Sequence, residues 1–328
     1  MRCLTLAELL RGRGARVAFI CRDYEGNLCD LIEERGFPVR RLPGCLQPVA
    51  WQEDVAQSVA ALRALNSHHD LIVVDHYQLN FRWEREMRAY AARIFVIDDL
   101  ADRAHDCDLL LDQNLHYAPE TRYQGLVGPR TRVFIGPRFA LLRSEFDRLV
   151  AVPRDHGLRR LLIFLGSDRA NETVKIVQAL GNLDSERPQA TLVLGPHQPY
   201  ASEIREAARH LSSLVVLAST GEMAKLIADA DLGIGTCGVA AWERCILGLP
   251  ALVVVTADNQ RDDARILQSL GAVRNLGEAR EVTVRMWSQE IRALQRNPDE
   301  IARMSRTAIE IMFGRREAMT ELENALAG

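Results

Sequence analysis

Short apolar runs alternate with segments of helical spacing along most of the chain. Apolar runs of this length are typical of buried strands, and because helical segments separate most of them, we expect parallel sheets covered by helices. Residues 3–10 also have helical spacing, so the chain opens on a helix rather than on a strand. In the first half, strands are predicted at residues 15–21, 38–42, 70–75, 92–98 and 107–112.

A second, similar series follows the polar segment at residues 151–160, and the pattern becomes entirely helical after residue 281. We therefore predict an α/β protein with two Rossmann-like domains, residues 1–150 and 151–328, and a helical C-terminus. The parallel sheets are expected to face each other across a cleft, with ligands at the carboxyl ends of their strands. In this half, strands are predicted at residues 159–166, 189–195, 213–217, 230–235 and 250–255.

Composition narrows the classes of partner. The 328 residues exceed the usual size of one domain, 48% of them are hydrophobic, and the formal net charge is −3. A chain without a basic surface is a poor candidate for binding nucleic acid or an anionic membrane. The seven cysteines include no C-x-x-C pair, and no apolar run is long enough to span a bilayer. We therefore expect a cytoplasmic protein with reduced thiols.

The glycine-rich turn within residues 233–245 is the sharpest candidate for a ligand site. Gly235 and Gly238 would let the backbone approach a ligand closely, and the helix predicted from residue 239 would present unpaired N–H groups to an anion. Glu243 lies one turn further along and could reach the vicinal hydroxyls of a ribose. A plain turn followed by a surface glutamate explains the same pattern equally well.

Polar residues also follow predicted strands in both halves. Asp75, His76 and Tyr77 leave a strand together, where titratable groups can meet a substrate, although such residues also cap or close loops. Asn259 and Gln260 follow the last predicted strand of the second domain. Their amides suit hydrogen bonding to sugar hydroxyls or to a phosphate, with a helix N-cap as the alternative.

Two further segments have a structural alternative of the same kind. Gly166, Ser167 and Asp168 follow the first strand of the second domain and would face a ligand there, or would simply start the next helix. Residues 97–114 are rich in aspartate and include Asp99. Acidic clusters can bind magnesium, but aspartates that flank a short strand suit turns and caps, so we predict no metal site.

Five stretches resemble the UDP-2,4-diacetamido-2,4,6-trideoxy-β-L-altropyranose hydrolases of pseudaminic acid biosynthesis, a MurG-like family related to the GT-B glycosyltransferases. They are residues 73–79, 97–114, 136–146, 233–250 and 257–260. The resemblance covers both halves of the chain, and the aspartate-rich stretch that ends in D-Q-N is its most specific part. It implies a GT-B-like fold with the sugar bound by the first domain and UDP by the second. It also implies that water attacks the sugar C1 with inversion and releases UDP.

The resemblance implies roles for individual residues. Tyr77 and Asn259 become the catalytic residues, and the loop at residues 235–243 binds the pyrophosphate and the ribose. No cofactor and no metal are implied; the ligands are a UDP-sugar and water. A monomer is compatible with the sequence, which does not fix the oligomeric state. The substrate-binding positions are Asp75, His76, Asp99, Gly166, Ser167, Asp168, Gly235, Cys237, Gly238, Val239, Glu243 and Gln260.

Three departures from the family pattern matter. Family members place a strand and a G-x-G-H loop before an R-C-x-x-L-A motif, whereas residues 2–7 match the motif alone, without the histidine expected to activate water. We therefore expect the natural protein to carry ~15–20 further residues, and this chain by itself to be marginally stable and inactive. The turn Cys237-Gly238-Val239 replaces G-G-S/T, so that Val239 offers a phosphate only its N–H, and Leu165 replaces a glycine.

Two other functions remain open. A GT-B glycosyltransferase would share the fold and the UDP site but would require an acceptor. An inactive sugar-nucleotide-binding protein would fit the absence of the histidine. His76 could stand in as the base, but neighbours on an extended loop point apart, so we interpret it as a packing or loop-bonding residue.

Overall fold

The computed structural model describes residues 1–45, 49–65, 68–166, 168–183, 186–195, 198–218 and 220–327. The chain divides into two compact units. The first comprises Met1–Asn114, Ala118–Leu141 and Ala318–Gly328, and the second comprises Leu115–Tyr117 and Leu142–Glu317. Every strand pairing among the described residues is parallel, which confirms the predicted α/β class with parallel sheets.

The first unit holds two parallel sheets. Its strands are β1 (Phe19–Arg22), β2 (Val39–Leu42), β3 (His69–Asp75), β4 (Ala91–Ile97), β5 (Leu109–Asp112) and β6 (Arg132–Ile135). One sheet pairs β1 with β2, and the other has the order β3-β4-β5-β6. Helix α1 (Arg2–Gly12) precedes β1, and the helices between the strands are α2 (Cys29–Glu34), α3 (Trp51–Leu65) and α4 (Phe81–Met87). The sequence pattern does not predict β6, because Arg132 and Val133 are exposed and the apolar run is short.

Helix α1 is held against both sheets of the first unit by opposite sides of one short apolar segment. Leu4 and Ala7 pack with Ile32 and Phe37, beside the β1-β2 pair. Leu6 packs in a second cluster that contains Phe95 of β4. This packing fixes the start of α1, which lies where β3 and β4 end.

The second unit is built on one six-stranded sheet. Its strands are β7 (Arg160–Phe164), β8 (Gln189–Val193), β9 (Leu214–Leu217), β10 (Leu232–Gly235), β11 (Ala251–Val255) and β12 (Val273–Glu278), in the order β12-β11-β10-β7-β8-β9. The helices are α5 (Ser144–Asp147), α6 (Glu172–Gly181), α7 (Ala201–Ala208), α8 (Met223–Asp229), α9 (Val239–Ile246), α10 (Arg261–Leu270), α11 (Val284–Gln295) and α12 (Pro298–Ile311). The strand order reverses between β7 and β10, which is where open sheets of this type bind ligands.

The last helix, α13 (Arg315–Ala327), is divided between the two units. From Ala318 onward it belongs to the first unit, although the sequence pattern assigns residues 151–328 to one domain. The reason is its apolar face, because Leu322 and Leu326 are buried in the cluster that contains Leu6. Arg93 of β4 donates to the carbonyl of Leu326 at 2.6 Å and so caps the end of the helix.

Arg154 ties the start of the second unit to two of its helices. The side chain is 3% exposed and donates to the carbonyls of Ile227, Ala228 and Ala230 at the end of α8, and to that of Leu247 at the end of α9. A buried cation at the carboxyl ends of two helices complements both helix dipoles. Among the described residues, no helix combines the length and the apolar character needed to cross a membrane.

Candidate functional site

The turn between β10 and α9 lies at the strand-order reversal of the second unit. Gly238 is the N-cap residue of α9, and no side-chain cap of this helix start is found among the described residues. The first N–H groups of a helix have no partners within the helix, and the helix dipole places partial positive charge beside them. This end of α9 can therefore bind an anion, as the sequence predicts.

The residues of this turn offer a ligand their backbone. Cys237 is 1% exposed, and burial raises the pKa of its thiol to about 12, so its side chain faces the protein interior. Its predicted role in substrate binding is thus restricted to its main chain. Gly238 and Val239 are partly exposed, and a Cβ added at Gly238 would meet no atom of the described residues within 4 Å.

Packing accounts for the glycine at position 235, where the sequence predicts that a ligand approaches the backbone. A Cβ at Gly235 would lie 2.6 Å from the Phe164 carbonyl oxygen and 2.7 Å from Nη1 of Arg244. A Cβ at Gly233 would lie 2.9 Å from Cδ of the same arginine. The two glycines form the groove that holds Arg244, whose Nη2 donates to the Thr236 carbonyl at 2.7 Å. Its Nε is buried without a partner among the described residues.

Glu243 is buried in an ion pair rather than exposed on the helix surface. Its Oε1 accepts from Nη2 of Arg143 at 3.0 Å and from Nε of the same residue at 3.3 Å. Burial raises the pKa of Glu243, and the two arginines Arg143 and Arg244 act in the opposite direction. The side chain remains 10% exposed, so the carboxylate is still accessible from outside.

The loop after β7 is organised by its own hydrogen bonds. Asp168 is 2% exposed, and its carboxylate accepts from the N–H groups of Glu172 at 2.9 Å and Thr173 at 2.8 Å. It therefore caps α6, which agrees with the structural alternative that the sequence offers for this segment. Gly166 is partly exposed with a φ of +71°, a value that favours glycine, while the predicted Ser167 lies outside the described residues.

The loop after β11 leaves one predicted side chain accessible. Asn259 is exposed in a single 3₁₀ turn, and no hydrogen bond of its side chain is found among the described residues. Gln260 instead closes the loop, because its Oε1 accepts from the N–H of Thr256 at 3.3 Å and lies 3.2 Å from the Thr256 hydroxyl. Asn259 can therefore meet a ligand directly, whereas Gln260 shapes the loop.

A second polar cluster lies in the first unit, where α1 starts and β3 and β4 end. Arg2 donates to both carboxylate oxygens of Asp75, from Nε at 2.9 Å and from Nη2 at 2.6 Å, and from Nη1 to Asp99 at 2.7 Å. Cys3 donates from Sγ to Asp75 at 3.0 Å. The bonds of Arg2 and Cys3 hold the pKa of Asp75 below its usual value against the effect of burial. The arginine thus fixes two predicted site residues together.

Tyr77 joins this cluster through Asp99. Its hydroxyl donates to Oδ2 of Asp99 at 3.0 Å, while Oδ1 of that carboxylate accepts from Nδ2 of Asn114 at 3.0 Å. Burial and the nearby carboxylate raise the pKa of Tyr77 to about 12, so the phenol is protonated at neutral pH. The residue is 51% exposed, which leaves its hydroxyl accessible as a hydrogen-bonding group.

His76 bonds its own loop. Its Nδ1 accepts from the N–H of Gln78 at 3.1 Å, and its carbonyl oxygen accepts from Arg103 at 2.9 Å. Arg103 also donates to the Leu79 carbonyl at 2.8 Å and so clamps the loop at both ends. Desolvation lowers the pKa of His76, which is therefore neutral at pH 7. With Nδ1 engaged, the ring lacks a free acceptor nitrogen for removing a proton from water.

The remaining acidic residues of the 97–114 stretch bond to protein groups. Asp98 accepts from the N–H of Ala101 at 2.8 Å, and Asp112 accepts from Nε of Arg122 at 2.7 Å. The Tyr123 hydroxyl lies 2.9 Å from one of these carboxylates and 3.0 Å from the other. In the described part of the chain, no three His, Cys, Asp or Glu side chains are placed to hold a metal ion.

Comparison with known proteins shows a family match for the part of the chain that contains the β10–α9 turn. Residues 160–322 match the model of the glycosyltransferase family 28 C-terminal domain. Because of this match, residues 160–322 are called the family 28 domain below. It contains the β10–α9 turn, Glu243, Asp168 and Asn259. The solved structure of MurG from Acinetobacter baumannii is similar to this chain, with a TM-score of 0.67 at 15% sequence identity. The superposition covers 99% of this chain and 95% of the MurG chain, which supports the GT-B-like fold.

Curated relatives extend the similarity beyond the family 28 domain. The chain is 23% identical over 259 residues to the UDP-2,4-diacetamido-2,4,6-trideoxy-β-L-altropyranose hydrolase of Campylobacter jejuni, over 78% of this chain and 86% of that protein. The resemblance inferred from the sequence is thereby confirmed. An uncharacterised protein of Methanocaldococcus jannaschii is 22% identical over 80% of this chain, and the spore coat polysaccharide biosynthesis protein SpsG of Bacillus subtilis is 26% identical over 48% of it. The chain spans only 53% and 48% of these two relatives.

Four residues of these clusters were not predicted as site residues from the sequence. In the family 28 domain Arg244 follows the predicted glutamate directly, and Arg143 precedes the domain by 17 residues in the segment 136–146. In the first unit Arg2 and Asn114 complete the cluster around Asp99. A signal existed for two of them, because Arg2 opens the R-C-x-x-L-A match and Asn114 ends the D-Q-N stretch.

Proposed function

We propose that this protein hydrolyses a UDP-linked 2,4-diacetamido-2,4,6-trideoxy sugar to the free sugar and UDP. The observation that carries the proposal is the uncapped start of α9 at the strand-order reversal of a family 28 C-terminal domain, with the Glu243 carboxylate on the same helix. A nucleoside diphosphate would place its anionic diphosphate at the start of α9 and its ribose hydroxyls at the Glu243 carboxylate. The similar Campylobacter jejuni protein, named for this hydrolysis, supports the choice of reaction.

In the proposed reaction a water oxygen attacks C1 of the sugar on the face opposite UDP. The C1–O bond breaks, its electron pair leaves with the β-phosphate, and the products are the sugar with inverted configuration, UDP and one proton. UDP is a good leaving group, so the main requirement is stabilisation of the charge that builds on its β-phosphate. The backbone N–H groups and the dipole at the start of α9 would supply this stabilisation.

Tyr77 and Asn259 are the proposed catalytic residues. Because the pKa of Tyr77 is about 12, its hydroxyl would act by hydrogen bonding and not as a base at neutral pH. Asp99, held by Arg2 and Asn114, would keep that hydroxyl in place. The exposed amide of Asn259 would bond to the substrate from the family 28 domain, with its loop held closed by Gln260.

Glu243 is the proposed ribose ligand, and its removal tests the nucleotide site. We expect Glu243→Ala to weaken UDP binding by about 1–3 kcal/mol, the usual cost of losing a hydrogen bond to a charged group. Isothermal titration calorimetry with UDP measures this effect directly. Unchanged UDP affinity in the variant would remove Glu243 from the site.

A GT-B glycosyltransferase is the second candidate, favoured by the family 28 match and by the likeness to MurG. The two candidates differ in their need for an acceptor. We expect the UDP-sugar, incubated with the protein and water alone, to give free sugar and UDP in equal amounts by proton and phosphorus NMR. If the donor stays intact until an acceptor alcohol is added, the protein is a glycosyltransferase and the proposed hydrolysis is wrong.

A further inference from the structure

The segment at residues 136–146 shares in the family resemblance, yet the proposed reaction gives it no role. Arg143 lies three residues before its end, as the N-cap residue of α5. The guanidinium stacks 5.3 Å from the ring centre of Phe146, which is fully buried. Its Nη1 pairs with Glu145 at 2.8 Å. The arginine is thus fixed by its own segment before it contacts anything in α9.

The contact of Arg143 with α9 is directed at one atom of Glu243. Nε and Nη2 both donate to Oε1, at 3.3 Å and 3.0 Å. Among the described residues, no other group is hydrogen bonded to this carboxylate, so Oε2 keeps its full capacity to accept. The two donors of one planar guanidinium hold Oε1 in place and so restrict the directions in which Oε2 can point.

We propose that Arg143 is a positioning residue that aims the Glu243 carboxylate at the ribose hydroxyls of UDP, and that it thereby sets a preference for ribonucleotides over 2′-deoxyribonucleotides. The inference rests on the proposed function, because it assigns UDP to this site. It deepens that proposal by naming the group that orients the ribose ligand. Arg143 itself touches the glutamate and not the nucleotide.

Electrostatics gives the arginine a second effect on the same carboxylate. Burial raises the pKa of Glu243, Arg143 and Arg244 lower it, and Glu145 raises it. Removing Arg143 takes away the first of the two opposing cations, so the pKa of Glu243 rises further above its ordinary value. A protonated carboxyl group accepts hydrogen bonds less strongly than a carboxylate. UDP binding should then weaken as the pH falls, with a midpoint at higher pH than in the wild type.

The test compares UDP with 2′-deoxy-UDP by calorimetry in the wild type, Arg143→Met, Arg143→Lys and Glu243→Gln. We expect the wild type to prefer UDP by about tenfold or more, Arg143→Met to lose most of that preference, and Arg143→Lys to recover part of it. The double variant Arg143→Met/Glu243→Gln should discriminate no worse than Glu243→Gln alone, because the two residues act through one contact. Arg209→Met is the matched control, since it breaks an exposed ion pair with Glu206 and should bind as the wild type.

The outcomes separate the two proposals. If the wild type does not bind UDP, the proposed function fails and the inference with it. If the wild type binds UDP and discriminates against 2′-deoxy-UDP while Arg143→Met, folded by its melting curve, discriminates equally and keeps the same pH profile, only the role of Arg143 is overturned. UDP binding without discrimination in the wild type would also overturn it, because Glu243 would not contact the ribose. Should Arg143→Met not fold, the Arg143→Lys variant decides, and a wild-type ratio of the two affinities there counts against the inference.

Discussion

Gly235 and Gly238 lie three positions apart in one glycine-rich turn. The structure predicts different effects when each is replaced by alanine. At Gly235 a methyl group would lie 2.6 Å from the Phe164 carbonyl oxygen and 2.7 Å from Nη1 of Arg244. At Gly238 it would meet nothing within 4 Å in the part of the chain that the structure describes, and the backbone φ of −99° is one that alanine adopts readily. We therefore expect Gly235→Ala to affect stability and Gly238→Ala to affect ligand binding.

The magnitude follows from what can move around Gly235. The Phe164 oxygen belongs to β7, which pairs with β10 in register at Gly235, so it cannot shift without disturbing the sheet. Arg244 is buried and would lose its bond to the Thr236 carbonyl if displaced. Overpacking of this kind costs about 1–3 kcal/mol, which corresponds to a fall of roughly 2–12 °C in Tm. Gly238→Ala should cost less than about 1 kcal/mol, the loss of a favourable N-cap residue.

Thermal unfolding followed by circular dichroism and UDP titration by calorimetry read out the two effects. Gly235→Ala should melt early and, at temperatures where it is folded, bind UDP almost normally. Gly238→Ala should melt near the wild type and bind UDP about tenfold more weakly, or 1.4 kcal/mol, because its methyl group would occupy the space in front of the helix start. A Gly235→Ala variant with wild-type Tm and weakened UDP binding would refute the packing argument.

Three further predictions concern single side chains. Tyr77→Phe should change stability by less than about 1 kcal/mol, because only its bond to Asp99 is lost, yet reduce turnover strongly; wild-type turnover would deny the hydroxyl a catalytic role. Asp168→Ala should cost about 1–3 kcal/mol of stability through loss of the α6 cap while UDP affinity stays constant, and a weaker affinity at unchanged Tm would make it a ligand instead. At pH 9 Cys237, whose pKa is about 12, should resist iodoacetamide in the folded protein while the exposed Cys45 is labelled, as mass spectrometry can show; equal labelling rates would contradict its burial.

The fold was predictable from sequence wherever a strand is buried on both faces. All five residues of β11 are buried and read as a continuous apolar run, and β10 and β5 behave in the same way. Strand β6 has two exposed residues out of four and gives no such signal. The sequence also did not show that most of α13 belongs to the first unit. Its amphipathic pattern predicts that the helix packs on a hydrophobic core, but the pattern does not tell which unit supplies that core.

The candidate site was predictable only as far as strand ends locate it. The pattern placed Asp75, Tyr77 and Asp99 after parallel strands, and the structure brings them together. It could not show that Arg2 joins them, because that contact spans 73 and 97 residues of sequence. Nor could it separate a glycine required by packing from one that admits a ligand, since the difference at Gly235 lies in the position of a buried arginine.

The central claim is that water attacks the sugar carbon and not the phosphorus. The most direct test is turnover of the UDP-linked 2,4-diacetamido-2,4,6-trideoxy sugar in ¹⁸O-labelled water by the protein expressed from its complete coding region, with mass spectrometry of both products. We expect the label in the free sugar, none in UDP, and the inverted anomer as the first sugar product seen by NMR. Label in the β-phosphate of UDP, or a first product that retains the anomeric configuration, would contradict the proposed reaction.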